Sequence, residues 1–181
     1  MKLKPNGIYH IYNRGNNKQK IFLLKQNYEF FIQKIDRQLS GTIDLLAYCL
    51  MPNHFHLMVS TSENFERDVF TNKYRILLSS YTRAINKQEE RTGSLFQQNS
   101  KSVEITGHQH ALICMNYIHL NPVKAGLANS MENWRYSSIH EYTGSNRNNL
   151  CNTALATELI DLPHDPKDFI SFSKGASGGT T

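Results

Sequence analysis

The sequence contains no CxxC pair, no internal repeat and no apolar run approaching the length of a membrane span. Its three cysteines, Cys49, Cys114 and Cys151, are odd in number and widely spaced, so they suggest neither a disulfide framework nor a zinc knuckle. They read as small buried thiols. The N-terminus lacks the positive-then-apolar layout of a signal peptide, and a cytoplasmic protein without membrane association is expected. Acidic residues are missing from positions 1–28, which carry Lys2, Lys4, Arg14, Lys18, Lys20 and Lys25, while the last thirty residues lean acidic. With a net charge of +5, this one-sided distribution suits a phosphate backbone. It suits an ordinary solvated surface equally well. A chain of 181 residues, 39% of them hydrophobic, is long enough for one domain with its own core.

Periodicity supplies the elements. Residues 8–13 alternate and are rich in aromatic and β-branched side chains, which predicts a strand followed by a turn at Asn13–Asn17. Tyr28, Phe31, Ile32, Ile35 and Leu39 form one helical stripe that Ser40 and Gly41 end. Residues 43–50 and 54–59 read as two strands joined tightly through Met51, Pro52 and Asn53. A second helix is predicted over 65–87, with Phe70, Tyr74, Leu77, Leu78 and Tyr81 inward. Residues 95–105 hold a further strand. A third helix starts near Gly107 and is expected to end close to Pro122. The order predicts an α+β, ferredoxin-like antiparallel sheet with two helices on one face and the third on the other. Residues 1–146 form the expected main domain and 147–181 a C-terminal extension. Beyond Ala128 the chain shows little periodicity, and the Gly- and Ser-rich stretch 174–181 reads as a disordered tail.

The sharpest local feature is Pro52-Asn53-His54-Phe55-His56-Leu57-Met58-Val59. Side chains two apart on a strand point the same way, so His54 and His56 share one face, and Phe55, Leu57 and Val59 share the core face. Two adjacent imidazoles can jointly ligate a divalent metal. They can also be two half-exposed histidines of a sheet. His108 and His110 repeat the spacing at the start of a helix, where residues two apart diverge by about 200° and do not chelate one ion. In the third helix Tyr117 and Asn121 are spaced i, i+4 and share a face. No charged residue lies between Ile105 and Val123, so this helix is expected to be buried or sandwiched. Taken alone, a tyrosine there reads first as a packing residue.

Three stretches occur in succession: Tyr9-His10-Ile11-Tyr12-Asn13-Arg14-Gly15, then Tyr48 to Leu57, then Tyr117-Ile118-His119-Leu120-Asn121-Pro122-Val123-Lys124-Ala125-Gly126-Leu127, with Trp134 to Ser138 following. In order and spacing, over residues 7–142, the chain resembles the REP-associated tyrosine transposases, a branch of the single-tyrosine HUH transposases. The resemblance implies that His54 and His56 bind Mg²⁺ or Mn²⁺, that Tyr117 is the nucleophile, and that Asn121 is a third ligand. It implies single-stranded or hairpin DNA as partner, and a monomer or homodimer. Arg14, Lys18, Lys20, Lys101 and Lys124 are candidate phosphate contacts, with Tyr12 and Trp134 as possible base-stacking aromatics. The stretch 96–102 departs from the family, lacking the expected basic residue and following aromatic near Asn99 and Ser100.

A phenol is a poor nucleophile at neutral pH, and a metal that polarises the phosphate compensates for this. Three other readings compete. A non-catalytic module for single-stranded nucleic acid would display aromatics on an open sheet face. A hydrolase of small phosphates would be indifferent to Tyr117. A transposase relative retained by its host for another task would keep the same site.

Overall fold

Alternation along the first strand sends Tyr9, Ile11 and Asn13 inward to one face and His10, Tyr12 and Arg14 to the other. That division organises the molecule. The structure is a computed structural model and describes residues 1–144, 149–163 and 165–176. In chain order come β1 (Ile8–Arg14), α1 (Lys25–Leu39), β2 (Asp44–Met51), β3 (His54–Ser60), α2 (Arg67–Gln88), β4 (Lys101–Ile105) and α3 (His108–Lys124). The short α4 (Ile139–Tyr142), α5 (Thr153–Ile160) and α6 (Pro166–Ala176) follow. The four strands are antiparallel in the order β2-β3-β1-β4, as the ferredoxin-like pattern predicts.

One face of the sheet, with Tyr9, Ile11, Tyr48, Phe55, Leu57 and Val59, packs against α1 and α2 through Phe31, Ile35, Phe70, Leu77 and Tyr81. The opposite face receives α3, whose Ala111, Cys114, Met115 and Ile118 meet Leu46, Ala47, Cys49, Met51 and Met58. A β-bulge between Leu45 and Ala47 puts the consecutive residues Leu46 and Ala47 under α3 together. Residues beyond Ala128, expected to be irregular, instead form α4, α5 and α6. Ala156, Ile160, Leu162 and Phe169 join the α3 core, so α3 is sandwiched as its lack of charge predicts. The helix α5 is short, and its start is fixed locally by Asn152, whose Oδ1 accepts from Leu155 N at 3.1 Å. The expected boundary at 146–147 lies outside the described residues, as do residues 177–181 of the expected tail. Residues 174–176 close α6.

The helix α3 also runs past its predicted end, through Pro122 to Lys124. Proline removes one backbone donor there, and the chain then closes in a Schellman motif. Gly126, at φ +67°, donates to Val123 O at 3.0 Å, and Leu127 N donates to Pro122 O at 2.9 Å. The continuation places Lys124 two turns after Tyr117, on the same side of the helix.

After α3 the chain returns along the outer edge of β2. Leu50 N donates to Tyr136 O at 2.9 Å and Ser138 N to Tyr48 O at 3.0 Å. Trp134 Nε1 donates to Leu50 O at 3.0 Å, and the indole meets Tyr28 and Tyr136 edge-on. Trp134 is therefore a packing residue. This segment also holds α3 in place, because Ser138 Oγ lies 2.8 Å from His119 Nε2 and accepts from Tyr48 N at 2.8 Å.

His119 is fully buried, and burial, with a smaller contribution from His140, pushes its pKa down to about 3. Unfolded, it titrates near the ordinary value of about 6.5. Between these values the unfolded chain binds the extra proton, so stability is level above about 6.5 and falls as pH drops below it. This residue alone is expected to remove about 2 kcal/mol between pH 7 and pH 5. Urea denaturation at the two pH values, compared with His119→Gln, checks this: the variant should lose less on acidification.

At the end of β1, Gly15 N donates to Asn53 O at 2.8 Å, and Ile21 N donates to Pro52 O at 2.8 Å. These bonds lay the loop after β1 against the turn of the β2–β3 hairpin. A Cβ on Gly15 would stand 2.0 Å from the Gln19 carbonyl oxygen, which is backbone and has little room to move. Gly15→Ala is expected to destabilise the fold by roughly 3 kcal/mol, the upper end for overpacking. Chemical denaturation reads this directly, and an unchanged midpoint would show that the loop can yield.

Candidate active site

The face of the sheet that carries the hydrophilic side chains of β1 and β3 is set by register. His56 lies opposite Tyr12, His54 opposite Arg14 and Met58 opposite His10 on β1, while Lys101 on β4 lies opposite Tyr12. Cross-strand and diagonal neighbours on one face are within side-chain reach. His54, His56, His10, Tyr12, Arg14 and Lys101 therefore belong to one face.

His54 and His56 sit with ring centroids 5.0 Å apart and planes perpendicular. His56 is buried, and its Nδ1 lies 2.8 Å from His10 Nε2, with the two rings stacked at 5.0 Å. The other nitrogen, His56 Nε2, is buried without a hydrogen-bond partner among the described residues. Burial lowers the His56 pKa to about 2, helped by the neighbouring His10 and His54, and burial lowers His10 to about 4. His54 is also lowered by burial, partly offset by a hydrogen bond to the Asn121 side chain and reinforced by the Arg14 charge. All three imidazoles are thus held neutral near pH 7, the state in which a ring nitrogen keeps a lone pair to donate. His54 Nδ1 is engaged by Asn53 Oδ1 at 2.6 Å.

Tyr117 comes from α3. Its ring meets His56 edge-on at 5.5 Å and His10 edge-on at 6.0 Å. Although the helix is largely buried, Tyr117 is 41% exposed. It is therefore a residue presented at the surface beside two histidines and not a packing residue. One turn on, Asn121 Nδ2 donates to Tyr117 O at 2.8 Å, while the same side chain bonds His54. A further turn brings Lys124 Nζ to 5.6 Å from the Tyr117 ring centroid, within cation–π range.

The predicted residues His54, His56, Tyr117 and Asn121 converge, with Arg14, Lys101 and Lys124 around them. Lys18 and Lys20 are exposed on the loop that lies against the hairpin turn. His108 and His110 are exposed at the start of α3, apart from the pair. In the divergent stretch 96–102, Phe96 is buried in the core, and Ser100 Oγ accepts from Asn13 Nδ2 at 2.7 Å and from Tyr74 Oη at 2.8 Å. Those residues hold β1 against α2. His10 is the participant that sequence reading missed. Its one available signal is parity: it stands on the same face of β1 as Tyr12 and Arg14.

Among the described residues, no three His, Cys, Asp or Glu side chains form a cluster that could hold a metal ion. The donors gathered here are two imidazoles and an amide, with the orphaned His56 Nε2 among them. Such a set leaves open coordination positions and so fits a cation shared with a substrate oxygen better than a closed structural site. A cleft of about 290 Å³, lined by Thr42, Asp44, Ser62 and Phe65 among others, lies at the opposite end of β2 and β3 from this site. The histidines instead lie beside Tyr117, which is exposed at the surface.

A family model described as IS200-like transposase matches residues 4–121. A curated protein of Haemophilus influenzae, named as a REP-associated tyrosine transposase, is 27% identical over 106 residues, covering 54% of this chain and 59% of the relative. The match thus spans less than two thirds of that relative's length. A solved structure of a REP-associated tyrosine transposase bound to a REP hairpin superposes with a TM-score of 0.65, covering 93% of this chain and 92% of that one at 20% identity. That likeness is one of fold.

Proposed function

Since the chain belongs to the IS200-like transposase family, we propose that it cuts single-stranded DNA, at hairpin-forming repeats, and transfers strands through a covalent link to Tyr117. The observation that carries this reading is the exposed Tyr117 ring set edge-on against His56, whose buried Nε2 is unpartnered among the described residues. His54, His56 and the Asn121 side chain would hold a divalent cation, Mg²⁺ or Mn²⁺. When bound, it would polarise the scissile phosphate and stabilise charge on the leaving oxygen.

The remaining work falls to the protein. The Tyr117 hydroxyl gives up its proton to solvent as its oxygen attacks phosphorus, the bond to the 3′ oxygen breaks, and the 5′ phosphate stays on Tyr117 while the departing oxygen takes up a proton. Attack by a 3′ hydroxyl on this phosphotyrosine reverses the step and joins strands. The sheet fixes the imidazoles and α3 fixes the phenol, so the reacting groups are placed by rigid elements. Arg14, Lys101 and Lys124 surround the site with positive charge that would steer and seat the phosphate backbone. All these residues come from one chain, so a monomer is sufficient.

The alternative of a binding module without catalysis needs an open sheet face on which bases stack. Here α3 covers much of that face. The test is incubation with a single-stranded hairpin and Mn²⁺, followed by denaturing electrophoresis. A protein–DNA adduct that survives denaturation is expected. Metal-independent binding with no adduct would instead support the binding module.

A further inference from the structure

We propose that His10 is a positioning residue: its Nε2 accepts the Nδ1 proton of His56 and so leaves His56 Nε2 as the bare lone pair that meets the cation. The inference rests on the metal-dependent reading of the site and assigns a role to a residue outside the candidate ligand set.

The argument is one of proton accounting. His10 Nε2 and His56 Nδ1 lie 2.8 Å apart, a hydrogen-bond distance, so one of the two nitrogens carries the shared proton. A neutral imidazole has a single N–H. If His10 were the donor, His56 would carry its own proton on Nε2. That nitrogen is buried with no acceptor among the described residues, and a buried N–H without an acceptor is disfavoured. It would also present a proton where a cation is to bind. If His56 is the donor, Nε2 is a lone pair and the His10 proton moves to Nδ1.

The neighbouring histidine follows the same scheme by a different partner. Asn53 Oδ1 lies 2.6 Å from His54 Nδ1 and can accept its proton, which leaves His54 Nε2 without one. Both imidazoles would then be oriented from behind through Nδ1, as outer partners of ligating histidines do in metal sites. His10 reaches His56 because it is its diagonal neighbour across β1 and β3, where Tyr12 takes the directly opposite place. The stacked rings, at 25° between planes, hold the pair in one orientation.

The experiment uses the full chain, ¹⁵N-labelled on histidine and free of metal, with long-range ¹H–¹⁵N correlation to read the protonated nitrogen. His56 is expected to be protonated at Nδ1 in the wild type. In His10→Phe the acceptor is gone, and the His56 proton should shift toward Nε2. Mn²⁺ affinity by calorimetry should fall by about 10–100-fold, the usual effect of losing an outer partner. His10→Gln, whose side-chain oxygen can occupy the place of Nε2, should restore both readouts. A wild-type His56 protonated at Nε2 overturns the proposal, and so does His10→Phe with unchanged tautomer and affinity. If His10→Phe does not fold, the wild-type spectrum still decides. Absence of Mn²⁺ binding that depends on His54 and His56 would defeat the metal reading itself, and the spectra would then judge the His10 contact separately.

Discussion

Tyr117→Phe is expected to abolish the covalent protein–DNA adduct while leaving the fold intact. Phenylalanine keeps the ring that meets His56 and His10 but has no oxygen with which to form a phosphoester. Because Tyr117 is 41% exposed, the stability change should stay within about 0.5 kcal/mol. DNA and Mn²⁺ binding should be nearly unchanged, since neither the proposed ligands nor the basic residues are touched. Denaturing electrophoresis reads the adduct, and a mobility-shift assay reads binding. An adduct that persists in Tyr117→Phe would mean that another side chain is the nucleophile. The largest effect is expected here because the proposed phosphoester forms at this oxygen.

His56→Ala and His54→Ala are expected to lose both cation binding and cleavage. Loss of an outer partner typically costs about 10–100-fold in affinity, so loss of a ligand should exceed about 100-fold. The two variants should differ in stability. His56 is buried and stacked on His10, so its truncation opens space beneath Tyr117 and should lower the melting temperature. His54 is only partly buried and makes its bonds at the rim, to Asn53 and Asn121, so its removal should cost less. Calorimetric titration with Mn²⁺ and single-turnover cleavage of a hairpin check both. Full cleavage by either variant would remove that histidine from the proposed ligand set.

Much of this was legible in the sequence because the relevant signals are local. Period-two alternation in β1 and β3 separates a core face from a histidine face, and the i, i+4 spacing of Tyr117 and Asn121 sets them on one side of a helix. The absence of charge around Tyr117 correctly predicts that α3 is sandwiched. What was not legible depends on distant parts of the chain. The role of His10 follows only from the register between β1 and β3, which no local pattern states. The exposure of Tyr117 depends on where α3 lies over the sheet, and that is set in part by His119 reaching Ser138. The end of α3 was placed too early because proline usually stops a helix, whereas here Gly126 completes a Schellman motif one turn later. The helices α5 and α6 were missed because short helices repeat their apolar face too few times to stand out.

The return of residues 134–138 along β2 has a bearing on how the molecule meets its own kind. With that border occupied, the sheet offers strand pairing mainly along β4, a five-residue segment bearing Lys101 and Glu104. A short border studded with charge is a poor template for edge-to-edge growth. The same chain that anchors Tyr117 through Ser138 thereby also guards the protein against sheet-mediated self-association.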